Sequence, residues 1–481
     1  MPSAGMAAST AIRELPPRFL WLVWGIVMVV FSASPVVNHL RDGVNNNKDY
    51  YIWYEAGQKI LHDQAIYPQQ TGVDFEFLYP PCTATFLAPL TIAGKLPFVL
   101  ALELITCLSW VVAVLAGVWL AGVRKEDQPF VAAGALLLTS PYAWDNFLLG
   151  QPNLFLLACI LGAVVLLRRE QKLAAGTLLG FAAAFKAFPV MAIVYLVWRR
   201  HWSAAAAMLI SLLAFLFLVP IPLRGWEQNL HDLKTWTSGM LFRYDSNTIA
   251  QRPSITYGWK NQSLVGTSHR LLRDVSADHL PDADGLPPLV PVPVFANIAD
   301  LEFSSVNVVI VAIGLLLCLT YVGLMPRGRS RSPATDAVEW GMLLIMMTIF
   351  SPISWFYYGI WLLFPYILVL GFAASPQRTI AERRIALVWL AVCLLLCNFV
   401  YSWEWIRPLR AVGWAFFGYV LLFAELGWIL SRLQGNSRFA MAWQACRSWM
   451  RAGHSQPEML PASITSRSPI VSIGPDRVQT T

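Results

Sequence analysis

Ten stretches of this chain are apolar over roughly the 20 residues that a helix needs to cross the hydrocarbon of a bilayer. They lie near residues 19–38, 97–121, 130–149, 152–167, 202–222, 305–325, 337–353, 355–374, 385–403 and 410–430. A water-soluble core cannot bury so many long apolar segments. The charge content agrees: 13% of the 481 residues are charged and 57% hydrophobic, whereas soluble domains carry about a quarter charged residues. The surplus apolar surface must face lipid, so the expected fold is an all-α integral membrane protein.

The basic residues set the orientation. Arg13 and Arg18, Arg124 and Lys125, Arg168 and Arg169, Arg199 and Arg200, Arg327, Arg329 and Arg331, and Arg383 and Arg384 fall in short loops between the apolar runs. Such clusters mark the cytoplasmic side. Counting the runs alternately places every cluster inside on one condition: the interrupted apolar stretch 173–198, broken by Lys186 and Pro189, enters and leaves on the same face. The expectation is ten spans plus one hairpin-like broken pair, which membrane proteins tolerate where it lines a cavity within the protein. Both termini are then cytoplasmic, with residues 1–18 and an expected disordered tail over 431–481 flanking a transmembrane domain over 19–430.

The basic excess behind the net charge of +7 sits in those loops and in the Arg-containing tail after Ser431, and no soluble basic module for nucleic acid is present. The seven cysteines lie mostly inside apolar runs with no CxxC spacing, which argues against a disulfide framework and a metal site.

On the outer face this topology gathers the loop 39–96, the junction from Asp145 to Asn153, and the loop 223–304, joined by turns at Ser351 to Trp355 and Ser402 to Pro408. In the first loop, Tyr50, Trp53, Tyr54, Gly57 and Leu61 recur at helical spacing, so an amphipathic helix with an aromatic stripe is expected at headgroup depth. Asp49 stands at its start, either as an N-cap or as a catalytic carboxylate. Asp42, Glu55, Asp63, Asp74 and Glu76 are the other nearby acids, with Asp74 and Glu76 as fallback candidates for a base. Gln151 and Asn153 flank a proline at the mouth of the fourth span, where amides can bind a sugar or phosphate, or cap the helix. Lys186 carries a charge deep in an apolar stretch, where a cation usually meets a cavity or an anion, a phosphate being the natural one; the other reading is snorkelling to an interface. The Asn261-Gln262-Ser263 segment precedes a proline-rich stretch over 281–293. Ser354, Trp355, Tyr357 and Tyr358 would line a sugar or lipid groove, or an interfacial belt.

Taken in order, these segments resemble glycosyltransferase family 87, the bacterial polyprenol-phosphate-mannose-dependent mannosyltransferases of the GT-C superfamily. The likeness rests on Asp49-Tyr50 and the helix to Gly57, Tyr67-Pro68, and Phe77-Leu78-Tyr79-Pro80-Pro81 ending at Pro89-Leu90. It continues through Gly150-Gln151-Pro152-Asn153, Arg168-Arg169, Ala175-Gly176, Gly180, Lys186, Pro189 and Arg199-Arg200. Asn261-Gln262-Ser263 and Ser351-Pro352-Ile353-Ser354-Trp355 complete it. After that last turn family members often carry histidines, where this chain has Phe356-Tyr357-Tyr358.

The resemblance implies a GT-C-type helical bundle that moves a hexose, mannose by analogy, from a polyprenyl-phosphate donor to a lipid or glycan acceptor on the outer face, with inversion and without a nucleotide or other cofactor; it does not specify a metal requirement. It makes Asp49 the general base. Lys186, Gln151 and Asn153 become the donor-phosphate contacts, with Tyr50, Tyr54, Tyr79, Gln262, Ser263, Ser354, Trp355, Tyr357 and Tyr358 as a substrate groove. A lipid transporter or flippase is the main other class; it would favour broken helices in both halves, and one broken pair is visible. A non-catalytic sugar-lipid-binding protein is the third.

Overall fold

The computed structural model describes residues 17–42, 48–68, 75–241, 257–277, 294–398 and 407–434. Asp74, the proline-rich stretch 281–293, most of the turn at 402–408 and the tail from 435 lie outside the described residues.

Every regular element among them is helical. In chain order these are α1 (Pro17–Asp42), α2 (Lys48–Leu61), α3 (Pro81–Thr91), α4 (Lys95–Leu120), α5 (Gln128–Leu149), α6 (Asn153–Arg168), α7 (Lys172–Phe185) and α8 (Ala192–Trp198). They continue with α9 (Trp202–Leu213), α10 (Ile221–Trp236), α11 (Leu264–Leu272), α12 (Phe303–Leu324), α13 (Pro333–Phe350), α14 (Leu363–Ala374), α15 (Ile380–Cys397), α16 (Arg407–Val412) and α17 (Trp414–Leu433).

Among the described residues six helices are long and apolar enough to cross a membrane: α1, α4, α12, α13, the helix from Phe356 through α14, and α17. Two bent pairs bring the number to eight if each is one span. The expectation of ten differs for identifiable reasons. The runs at 130–149 and 152–167 become α5 and α6, which meet at 119° across Gly150. The run at 385–403 becomes α15, whose first turns carry Glu382, Arg383 and Arg384.

The lipid face is written in the exposed residues. In α4 the outward side chains Leu100, Leu104, Leu108, Val112 and Leu115 repeat every three or four residues and are all apolar, while Trp110, Ala113, Val114 and Val118 are buried. In water that outer stripe would be polar; here lipid is its solvent.

Helices approach closely where side chains are small. Gly176 and Gly180, one turn apart in α7, lie against Ala204, Met208 and Ser211 of α9. A Cβ at either glycine would collide with backbone there, the small-xxx-small contact of membrane helices.

One end of the bundle is clamped by the basic loops. Arg168, at the end of α6, donates to Leu120 O at the end of α4 (3.0 Å) and to Pro333 O at the start of α13. Arg199, after α8, donates to Pro326 O (2.9 Å) and forms a buried ion pair with Glu339 of α13. The starts and ends of the 172–198 segment therefore sit at one end, beside the α12–α13 loop, and Lys186 sits at the far turn.

Helix α10 was not anticipated. The run ending near residue 222 turns by 94° into residues 221–240, and Gly225 (φ 69°) makes a further kink inside α10. Arg224, buried, pairs with Asp232 (2.8 Å) and with Asp63 (3.0 Å), tying α10 to the end of α2. Leu223, Trp226 and Leu230 remain exposed, which suits a helix lying along the headgroup layer.

Candidate functional site

The end opposite the Arg168–Arg199 clamp collects the polar residues. Three chain segments build it. Helix α5 ends on Gly150, left-handed (φ 73°), with the Tyr50 ring 2.9 Å from where a Cβ would stand. That close turn lets α6 start at once, so Gln151 and Asn153 emerge side by side. Neither caps α6, whose N-cap is Pro152.

Helix α7 ends at Phe185, and Lys186 is extended (φ −149°, ψ 121°) before a 3-10 turn at Phe188–Met191 leads into α8. A helix end buried in the bundle leaves carbonyls without partners. Here Ala184 O accepts from Cys82 Sγ (3.1 Å) and Phe185 O from Thr83 Oγ1 (3.0 Å). Both donors stand in the first turn of α3, just after Pro80 and Pro81.

The third segment is the first turn of α2. Asp49 is one residue inside this helix, not at its N-cap, and its Oδ2 accepts from Gln151 Nε2. Gln151 Oε1 in turn accepts from the Tyr79 hydroxyl (3.2 Å). Burial pushes the Tyr79 phenol well above its ordinary pKa, with Tyr358 and Asp49 nearby adding to the effect against the Gln151 hydrogen bond, so Tyr79 is held as a donor.

Lys186 is 8% exposed. Its Nζ donates to Asn153 Oδ1 (3.0 Å) and lies over the rings of Tyr358 (4.3 Å), Phe188 (5.3 Å) and Tyr79 (5.4 Å). This is an aromatic cage for a cation, not a side chain reaching for an interface. Asn153 Nδ2 donates to Asn146 Oδ1 (3.1 Å), and Asn146 Nδ2 donates to Tyr357 O (2.9 Å) and Tyr142 O (2.7 Å). The structure thus brings together Asp49, Gln151, Tyr79, Lys186, Asn153, Tyr357 and Tyr358. Asn146 was missed in the sequence; an amide inside the apolar run at 130–149 was its signal.

Several of the other expected groove residues are committed elsewhere. The Tyr50 hydroxyl bonds Glu103 of α4 and Phe147 O (2.8 Å), buried behind α2. Trp53 packs on Tyr79, Phe77 and Phe185. Much of the aromatic stripe therefore faces protein rather than headgroups, because α3, α4 and α5 close over it. Tyr54 packs on Phe98 and lies under Lys95.

Gln262 Nε2 donates to Trp259 O (2.6 Å) and Arg410 O (3.0 Å), Ser263 Oγ to Pro352 O (3.1 Å), and Ser354 contributes N–H to Asn261 Oδ1 (2.9 Å). Asn261, Gln262, Ser263 and Ser354 are buried and knit the 257–277 segment to the 351–354 turn. The Trp355 ring packs edge-on to Tyr357, its Nε1 buried without a protein partner among the described residues. Of the other nearby acids, Asp63 is paired with Arg224, and Glu76, the described one of the two fallback candidates, lines a separate hollow with Glu55. Among the described residues no three His, Cys, Asp or Glu side chains converge.

The chemistry available is an acid and a cation held a few side chains apart, joined by amides and a phenol, at the loop end of a lipid-embedded bundle. Comparison with known proteins gives this arrangement a context. A polyprenol-phosphate-mannose-dependent alpha-(1-2)-phosphatidylinositol pentamannoside mannosyltransferase of Mycolicibacterium smegmatis is 25% identical over 446 residues, covering 89% of this chain and 94% of that protein. A polyprenol-phosphate-mannose-dependent alpha-(1-2)-phosphatidylinositol mannoside mannosyltransferase of the same organism is 24% identical over 366 residues, covering 70% of this chain and 73% of that protein. No solved structure matches the chain. The model of glycosyltransferase family 87 matches residues 77–352, a stretch that starts after Asp49 and contains Tyr79, Gln151, Asn153 and Lys186. The chain belongs to glycosyltransferase family 87 and is a membrane glycosyltransferase.

Proposed function

We propose that the protein transfers mannose from a polyprenyl-phosphate donor to a lipid or glycan acceptor, with inversion, on the extracytoplasmic face and with both termini inside. The observation that carries this reading is the link from Asp49 through Gln151 and Tyr79 to the ring cage around Lys186. It supports a base and a phosphate-binding cation working on one bond.

In the proposed step, Asp49 takes the proton of an acceptor hydroxyl as that oxygen attacks the anomeric carbon. The bond from that carbon to the donor phosphate breaks on the opposite side, and the electron pair leaves on the polyprenyl phosphate. A hydroxyl is a weak nucleophile, and base assistance typically contributes about 10² to 10⁴ in rate. Lys186, with Asn153 orienting it, meets the charge that grows on the phosphate oxygen; a positioned cation in a dry site is most effective where charge develops. The lipid tail stays in the bilayer throughout.

The test is Asp49→Asn in the purified full-length protein, with radiolabelled polyprenyl-phosphate mannose as donor. Asn keeps a hydrogen-bonding head beside Gln151 but cannot take the proton. The variant is expected to bind donor like wild type and to lose about 10² to 10⁴ in transfer rate. Transfer within a few-fold of wild type by a well-folded variant excludes Asp49 as the base.

A further inference from the structure

The side of helix α2 that carries Asp49 runs on beyond the Asp49–Lys186 cluster. Asp49, Ile52, Ala56 and Lys59 follow one another at i, i+3, i+7 and i+10, the spacing that keeps residues on neighbouring turns of one helix side. From Ile52 onward this side walls a cavity of about 240 Å³, closed by Glu55, Tyr67, Glu76 and Phe77. The hollow begins one helical turn from Asp49 and does not reach Lys186. The partition between them is Tyr67, whose hydroxyl donates to Tyr79 O (2.5 Å), with Trp53 packed on Phe77 and Tyr79.

The lining says what fits. The side chains of Glu55, Lys59 and Glu76 make no hydrogen bond or ion pair among the described residues, although those of Arg224, Asp232 and Asp63 nearby are all paired. Two carboxylates and one ammonium give a net negative wall, which repels a phosphate and presents acceptors to hydroxyl groups. Tyr67 and Phe77 offer ring surface beside them. At roughly 30 Å³ per water the volume is that of about eight waters, the scale of one hexose ring.

We propose that this cavity is the acceptor-sugar subsite: it holds one sugar residue of the acceptor against α2 and so delivers the reacting hydroxyl past Ile52 to Asp49. The donor phosphate binds on the other side of the Tyr67–Tyr79 partition, at Lys186. This inference rests on the transfer reaction proposed above.

The test uses the full-length protein in proteoliposomes, with polyprenyl-phosphate mannose as donor and octyl α-mannoside as acceptor. The double variant Glu55→Gln/Glu76→Gln keeps size and removes the charged acceptors; Ile52→Trp fills the hollow from the helix side. Each is expected to raise the acceptor KM about tenfold, as for lost hydrogen bonds to charged groups, with donor affinity unchanged. An acceptor KM within twofold of wild type in both variants overturns the subsite, as does a parallel loss of donor affinity. Those results leave the transfer reaction standing, since wild type is active in the same assay. If wild type moves no labelled mannose to the mannoside or to extracted membrane lipids, the reaction and the subsite fall together.

Discussion

Replacing Lys186 by Met separates binding from stability, because the two should move differently. The side chain is almost fully buried, and its charge is met by one neutral amide oxygen at 3.0 Å and three ring faces at 4.3–5.4 Å. Taking an ion out of water costs several kcal/mol even after relaxation. Each ring face offsets roughly 0.5–2 kcal/mol and the amide about 1.5–3 kcal/mol. The cage therefore about balances the burial, and Met, of similar length and apolar, should fold with no loss of thermal stability in detergent. A phosphate in contact with Lys186 changes the sum only in the bound state. Losing one charge-assisted contact of about 1.5–3 kcal/mol weakens donor binding about 10- to 150-fold, at 1.4 kcal/mol per tenfold. The assay pairs a melting curve of the purified protein with a titration of polyprenyl-phosphate mannose. Unchanged affinity refutes the phosphate role, and a drop in Tm parallel to the drop in affinity makes Lys186 a structural residue.

Other perturbations test the frame that carries the site. Arg199→Met leaves Glu339 buried and uncompensated, so it should cost about 3–5 kcal/mol; Arg199→Met/Glu339→Met should recover most of that in a detergent melt, and a double variant no better than the single one contradicts the clamp. Gly180→Val drives a side chain into Ser211 and the Met208 carbonyl and should cost about 1–3 kcal/mol by overpacking, read as a lowered Tm; a neutral result means α7 and α9 are not in that contact.

The lipid-embedded helices were legible because their signal is local: a run of apolar residues needs no knowledge of what lies beside it. Charge added a longer-range constraint. Requiring every basic cluster on one side put 168–172 and 199–201 together, and Arg168 and Arg199 do meet the same α12–α13 loop. Asp49, Gln151, Asn153 and Lys186 could each be picked out as polar groups in unusual company, but their convergence could not. It depends on the 119° turn at Gly150 and on the extended residue at 186, and neither leaves a periodic trace. Gln262 and Ser263 show the opposite effect. Short polar side chains next to proline look like ligand contacts in sequence. In three dimensions the nearby carbonyls of Pro352, Trp259 and Arg410 claim those of Gln262 and Ser263, since buried backbone must find partners, while Ser354 is bound through its backbone N–H and its hydroxyl has no protein partner among the described residues.

The double proline of the first loop acquires a physical role on the same reasoning. A helix that stops inside the bundle, as α7 does at Phe185, exposes carbonyls that lipid cannot satisfy. Pro80 is held at φ −57° and Pro81 starts α3 without needing a hydrogen-bond partner for a backbone N–H. That start places Cys82 and Thr83 against Ala184 O and Phe185 O. With those carbonyls paired, the chain can reverse at Lys186 while the α6–α8 ends stay fastened by Arg168 and Arg199 at the other end. Tyr79, just upstream of the prolines, then lies between Lys186 and Gln151. One short segment, 79–83, both supports the break that brings a lysine into the bundle and connects that lysine to the carboxylate of Asp49.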